Sequence, residues 1–248
     1  MISAETRADV RKESLSLDAG YAKVDRLLRE LESIAPELTN WHGGITTPDQ
    51  DYVNFRDKTT MLERVQARID AFKAQFPALP NADGFGLRLS SNSEKKRRPG
   101  LFELAYEPAR GVVALDIHQP DVAFEERATT VVARALAAIA KLEDVQYAFV
   151  DVRDRVPDRP RPTTYRLSYA TFPHRKAVGW MNFVPSAVTA DQLPTAAELV
   201  PVPGKGTVIV AVGEAFSLTN KTHIKQANIV EMELADLDLL PVVDPSLR

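Results

Sequence analysis

Apolar positions along the chain follow two rhythms. Tyr21, Val24, Leu28, Leu31 and Ile34 recur at helical spacing, with Pro36 beyond them, and predict a helix over about 18–35. A polar loop with Trp41, Gly43, Gly44 and Pro48 follows. Met61, Leu62, Val65, Ile69, Phe72 and Phe76 then mark a second helix over about 57–75, closed by Pro77 and Pro80. Beyond it the period drops to two, in the sets Phe85/Leu87/Leu89, Phe102/Leu104/Tyr106 and Val113/Leu115/Ile117. Pro99-Gly100 and Ala109-Arg110-Gly111 provide turns, so this part reads as an antiparallel meander.

A long helix over about 121–143 is expected next, capped by Asp121, with Glu125 and Glu126 placed to suit its dipole. Strands are expected at 145–152, near 165–169, through the Trp180 stretch and at 208–212. An extended Arg- and Pro-rich connection spans 154–162, and Pro203-Gly204 makes a turn. Asn220 caps a final helix bearing Ile224, Ala227, Val230, Leu234 and Leu237, ended by Pro241 and Pro245. In Phe172–Pro185, Val178, Trp180 and Asn182 alternate with Gly179, Met181 and Phe183. Glycine beside tryptophan in a strand points to close backbone approach or to a ring packed over the missing side chain. Residues 1–15 are polar and read as a flexible N-terminal arm ahead of one folded unit, 16–248. The helix at 121–143 needs a sheet on which to bury its apolar face. The expected class is therefore α+β: a mainly antiparallel sheet packed against several helices in a single compact domain.

Composition narrows the chemistry. The 248 residues are 44% hydrophobic and 26% charged, with a net charge of −3 and no cysteine. Disulfides, thiolate metal sites and cysteine nucleophiles are thereby excluded. The polar start shows no secretory signal. The most apolar helical run, 128–140, carries Arg134 and falls short of the roughly 20 residues of a membrane span. A cytoplasmic protein without cofactor or membrane association is expected.

The four histidines, His42, His118, His174 and His223, have no metal-binding spacing. Asp116 and His118 share one strand face and could in principle form a base and its orienter, but the solvated polar face of an edge strand is the favoured account. Asp151 and Arg153 read as a surface ion pair. Val202-Pro203-Gly204-Lys205-Gly206-Thr207 lacks the spacing of a phosphate loop and reads as a hairpin turn. Glu94-Lys95 has no strand partners for a nuclease site. Two basic runs stand out. One is Lys95–Arg98. The other, 153–176, holds seven basic residues (Arg153, Arg155, Arg159, Arg161, Arg166, Arg175, Lys176) against Asp154 and Asp158. They raise a nucleic-acid-binding alternative, opposed by the negative net charge and the lack of interleaved aromatics. The last helix is acidic, with Glu231, Glu233, Asp236 and Asp238.

Three features taken together resemble the immunity protein 52 family of bacterial polymorphic-toxin and type VI secretion systems: Pro36-x-Leu38-x-x-Trp41, the central hydrophobic helix, and Phe172-Pro173-x-Arg175 followed by Gly179-Trp180-Met181-x-Phe183 and Pro185. The resemblance covers about 18–240. It implies a binding protein and not an enzyme, with no catalytic residue. Its partner would be a cognate toxin or effector domain, typically a nuclease, blocked at its active site or substrate groove. Trp41, Gly179 and Trp180 are then structural, the tryptophans as partly buried anchors. Glu231, Glu233, Asp236 and Asp238 are the expected partner contacts, since an acidic face complements a basic nucleic-acid cleft.

Overall fold

The strand around which the sheet is built comes from the segment expected to be a free arm. The computed structural model describes residues 2–35, 40–44, 51–78, 84–93, 98–155 and 162–247. In chain order the elements are β1 (Ile2–Val10), α1 (Leu17–Ile34), β2 (His42–Gly43), β3 (Val53–Asn54), α2 (Lys58–Gln75), β4 (Leu87–Ser90), β5 (Phe102–Glu107), β6 (Val112–His118), α3 (Pro120–Phe124), α4 (Ala128–Leu142), β7 (Val145–Asp154), β8 (Thr163–Thr164), α5 (Tyr165–Ser168), β9 (Met181–Val184), β10 (Glu198–Val202), β11 (Gly206–Val210) and α6 (Lys221–Asp236).

The described strands form one sheet in the order β10-β11-β9-β7-β1-β6-β5-β4-β2-β3, with β8 beside β7. Every strand pairing is antiparallel. β1 pairs with β6 through Ser3↔His118 to Asp9↔Val112, and with β7 through Ile2↔Asp154 to Val10↔Val145. Its apolar rhythm is carried by Ala4, Ala8 and Val10, interleaved with Ser3, Glu5, Arg7 and Asp9. Alanine is too weak a strand signal to announce itself, yet Ala4 and Ala8 are buried. The small side chains suit the helix that packs over them, since α4 contacts β1 as well as β7, β9, β10 and β11.

α4 explains why the chain folds as α+β. Val131, Val132, Ala135, Leu136 and Ile139 are buried, as are Ala133 and Ala140 on its other sides, because α1 covers the face turned away from the sheet. Thr130, Arg134 and Lys141 are its exposed positions. α1 contributes Val24, Leu27, Leu28 and Leu31, and Gly20 lets the Phe85 ring approach so closely that a Cβ would lie 2.3 Å from it. The Ser16 hydroxyl caps α1 and the Asp57 carboxylate caps α2. On α2 the predicted stripe holds for Met61, Val65 and Ile69, but Phe72 and Phe76 are exposed.

The single helix expected over 121–143 is broken. Gln119 and Glu125 adopt positive φ (46° and 50°), Pro120 starts a short α3, and residues 125–127 form a 3₁₀ turn before α4. Asp121 does not cap. The break lets Phe124 turn inward against Phe102, ring to ring at 6.1 Å. The strand expected near 165–169 is instead a one-turn helix, because Thr164 Oγ1 accepts the Leu167 N–H at 3.2 Å and ends the extended backbone.

Candidate partner-binding surfaces

The Trp180 stretch is a junction between core and sheet. Gly179 has φ 68°, and a Cβ there would lie 2.2 Å from the Val150 carbonyl oxygen, so only glycine fits. This brings the Trp180 N–H to the Val150 oxygen at 2.9 Å and the indole Nε1 to the Val212 carbonyl at 3.0 Å. Regular pairing begins only at Met181. Trp180 and Trp41 are fully buried rather than partly so, with Trp41 edge-on to Phe102 at 6.5 Å. Both are core residues and offer no surface to a partner. Pro36 and Leu38 lie outside the described residues.

The acidic positions of α6 divide into two kinds. Glu231 is 1% exposed and faces inward. Its carboxylate accepts the backbone N–H groups of Thr171 at 2.7 Å and Val178 at 2.9 Å, which clamps the 171–178 segment to α6. Burial raises its pKa, and these two N–H groups oppose the rise. Glu231 is therefore not on the acidic face: two donor groups inside the protein need its charge. Glu233 is half-buried and accepts from Thr195 Oγ1 at 2.7 Å. Asp236 and Asp238 are exposed, with Asp238 3.9 Å from Arg175.

Asp116 and His118 do share a face, but each is held by a different neighbour. Asp116 pairs with Arg7 at 3.4 Å; His118 Nε2 lies 2.5 Å from Glu103 and its Nδ1 3.2 Å from Ser3 Oγ. Burial raises the Asp116 pKa, partly offset by Arg7. The pair lies within a mesh of sheet-face contacts that also includes Glu5 and Arg153. The expected Asp151–Arg153 ion pair is replaced: Arg153 Nε faces Glu5 at 2.8 Å, while the buried Asp151 accepts the Arg166 N–H at 3.1 Å. Strand register puts Glu5 directly across from Asp151 and within reach of Arg153, which i, i+2 spacing could not reveal. No cluster of metal-ligating side chains occurs among the described residues. Residues 202–207 form the β10–β11 hairpin turn, as expected. Glu94-Lys95 falls outside the described residues.

The described parts of the two basic runs meet. Arg98, Arg153 and Arg155 line one cavity of about 380 Å³, together with Ser3, His118, Gln119 and Pro162. Among the described residues no Phe, Tyr or Trp side chain lines it. Lys95, Lys96, Arg97, Arg159 and Arg161 lie outside the described residues.

A family model for immunity protein 52 matches residues 8–242. The chain belongs to the immunity protein 52 family. Among solved structures, Pseudomonas aeruginosa T6SS protein PA0821 shares the fold, with a TM-score of 0.57 and 15% identity over 94% of this chain and 76% of that one. Comparison with curated proteins gives no match. No helix among the described residues is long and apolar enough to cross a membrane.

One surface of this family member was not legible from sequence. Leu167 on α5 is 76% exposed and Met232 on α6 is 43% exposed. Met232 lines an open groove with Tyr169, Ile224 and Ile229, and Leu167 is not part of that lining. Reading 165–169 as a strand hid Leu167, and counting charges along α6 hid Met232. The signal that could have found Met232 is an apolar residue falling on the outward face once Asn220 fixes the phase of α6.

Proposed function

We propose that this chain is a cytoplasmic, non-enzymatic immunity protein that binds a cognate toxin domain, a nuclease, and covers its active site or substrate groove. Membership of the immunity protein 52 family over residues 8–242 carries the reading. Glu233, Asp236 and Asp238 are proposed as contacts to the basic, nucleic-acid-facing surface of such a toxin. Tagged protein expressed in its source bacterium should retain a stoichiometric partner bearing a toxin domain, identified by mass spectrometry. That domain should degrade nucleic acid when freed and stop when the chain is added back. Retention of no toxin domain overturns the reading; a toxin with another chemistry overturns the nuclease part alone. Substituting Glu233, Asp236 and Asp238 by Lys should slow association about 10-fold or more at low salt and less at high salt.

The convergence of Arg98, Arg153 and Arg155 on one cavity favours a second reading, nucleic-acid binding through the basic runs at 95–98 and 153–176. It predicts steeply salt-dependent retardation of labelled DNA or RNA. No retardation at low salt disposes of it.

A further inference from the structure

We infer that the hollow between α2 and β4 binds a mononucleotide, its phosphates on four arginines and its base against Phe72. The site is independent of toxin binding and lies beyond β5, in the half of the sheet away from β9 and β10.

Four arginines meet here that the chain keeps apart. Arg64 and Arg68 stand about one turn apart on α2, beside the buried stripe of Met61, Val65 and Ile69. Arg88 comes from β4 and Arg110 from the turn after β5. All four line one cavity of about 340 Å³, and Glu107 is the one carboxylate in its wall among the described residues. Its two oxygens are taken by Arg88 at 3.1 Å and Arg110 at 2.8 Å. Arg68 donates to the Gly86 carbonyl, and no hydrogen bond or ion pair holds Arg64 among the described residues. Four guanidinium groups against one carboxylate leave an excess of three positive charges. Burial lowers the Arg68 pKa; Glu107 opposes the fall and Arg88 adds to it. A bound anion offsets that cost.

Glycine makes room for these side chains. A Cβ on Gly86 would lie 3.0 Å from an Arg68 guanidinium nitrogen, and one on Gly44 would lie 3.4 Å from the Arg64 stem. The planar guanidinium fork matches phosphate oxygens in pairs, and the cationic excess suits the multiple charges of a nucleotide's phosphates better than a single carboxylate. A second hollow of about 160 Å³ adjoins, sharing Arg68, Gly86, Glu107 and Arg110 with the first. Its wall carries Ile69, Phe72 and Phe85, and Phe72 is 41% exposed. An exposed ring beside clustered arginines is the arrangement that stacks a base while its phosphates are held. The two hollows together reach the size of small-molecule sites, roughly 300–1,000 Å³.

The test is calorimetric titration of the full chain at low salt with ADP, CDP and pyrophosphate. Each should bind one to one and raise the melting temperature, the nucleotides more tightly than pyrophosphate. Arg64→Gln should weaken all three by about 10-fold or more. Its melt without ligand should match wild type, because Arg64 holds no other group. Phe72→Ala should weaken the nucleotides by roughly 5-fold or more and leave pyrophosphate unchanged. No binding of either nucleotide, or nucleotide binding unchanged in Arg64→Gln or in Phe72→Ala, overturns the inference. A single-stranded oligonucleotide that binds where the mononucleotides do not also overturns it, by assigning the arginines to nucleic acid. So does a glutamate-rich peptide that displaces ADP at equal concentration, which assigns them to an acidic protein segment.

Discussion

The Glu231 carboxylate on α6 accepts the Val178 N–H at 2.9 Å, one residue before the glycine that turns the chain into the Trp180 junction. Its other oxygen accepts from Thr171. Glu231→Gln replaces one acceptor with a donor facing N–H groups and should cost about 1–3 kcal/mol in urea unfolding. Glu231→Ala, which orphans both donors, should cost about 3 kcal/mol or more. Asp236→Ala on the same helix should be nearly neutral. Equal effects at 231 and 236 would place Glu231 on the surface after all.

Gly179 and Gly204 both have φ near 70°, but a Cβ on Gly179 meets the Val150 oxygen at 2.2 Å, and one on Gly204 meets nothing within 4 Å. Gly204→Ala should therefore cost only the backbone penalty, about 1 kcal/mol. Gly179→Ala adds a backbone collision and should cost about 3 kcal/mol or more. Thermal melts of the two variants give the comparison directly.

Deleting residues 2–10 removes the strand between β6 and β7. Both neighbours lose a full row of hydrogen bonds, and α4 loses Ala4 and Ala8 beneath it. The truncated protein should be insoluble or lack a cooperative melt. A folded product with wild-type circular dichroism would restore the flexible-arm reading.

Burial raises the pKa of Glu5, Asp116, Asp151 and Glu231. For a carboxyl group raised in the folded state, the native protein holds protons that the unfolded chain has released. Stability from these groups therefore falls as pH rises from about 4, the ordinary carboxylate range, through the raised folded values. Urea midpoints measured from pH 4.5 to 7 should show this fall, and Asp116→Asn should lessen it. An equal or steeper fall in the variant would remove Asp116 from the set.

Much of the fold could be read from period alone. α1, α2, the β4–β6 meander and α6 all announce themselves through large apolar side chains, and Asn220 marks the start of α6 as expected. The failures have one physical origin, in that tertiary contacts decide where local signals are weak. β1 writes its inward face in alanine. The break between α3 and α4 comes from Phe124 seeking Phe102, and α5 from a threonine cap overriding a β-prone Tyr-Arg-Leu. Glu231 shows the same limit at the candidate site. Its i, i+4 neighbours place it near the apolar face of α6, but only the 171–178 segment, more than fifty residues earlier in the chain, supplies the N–H groups that make a buried carboxylate tolerable.

The position of β1 sets a timetable for synthesis. Ser3 on β1 pairs with His118, 115 residues later, and β7 comes later still. The sheet cannot close around β1 until both partners have emerged, and such distant pairing is slow to form. The sheet thus stays open at its centre until residues as far along as Asp154 are in place. Until then β1 is an unpaired edge open to other strands.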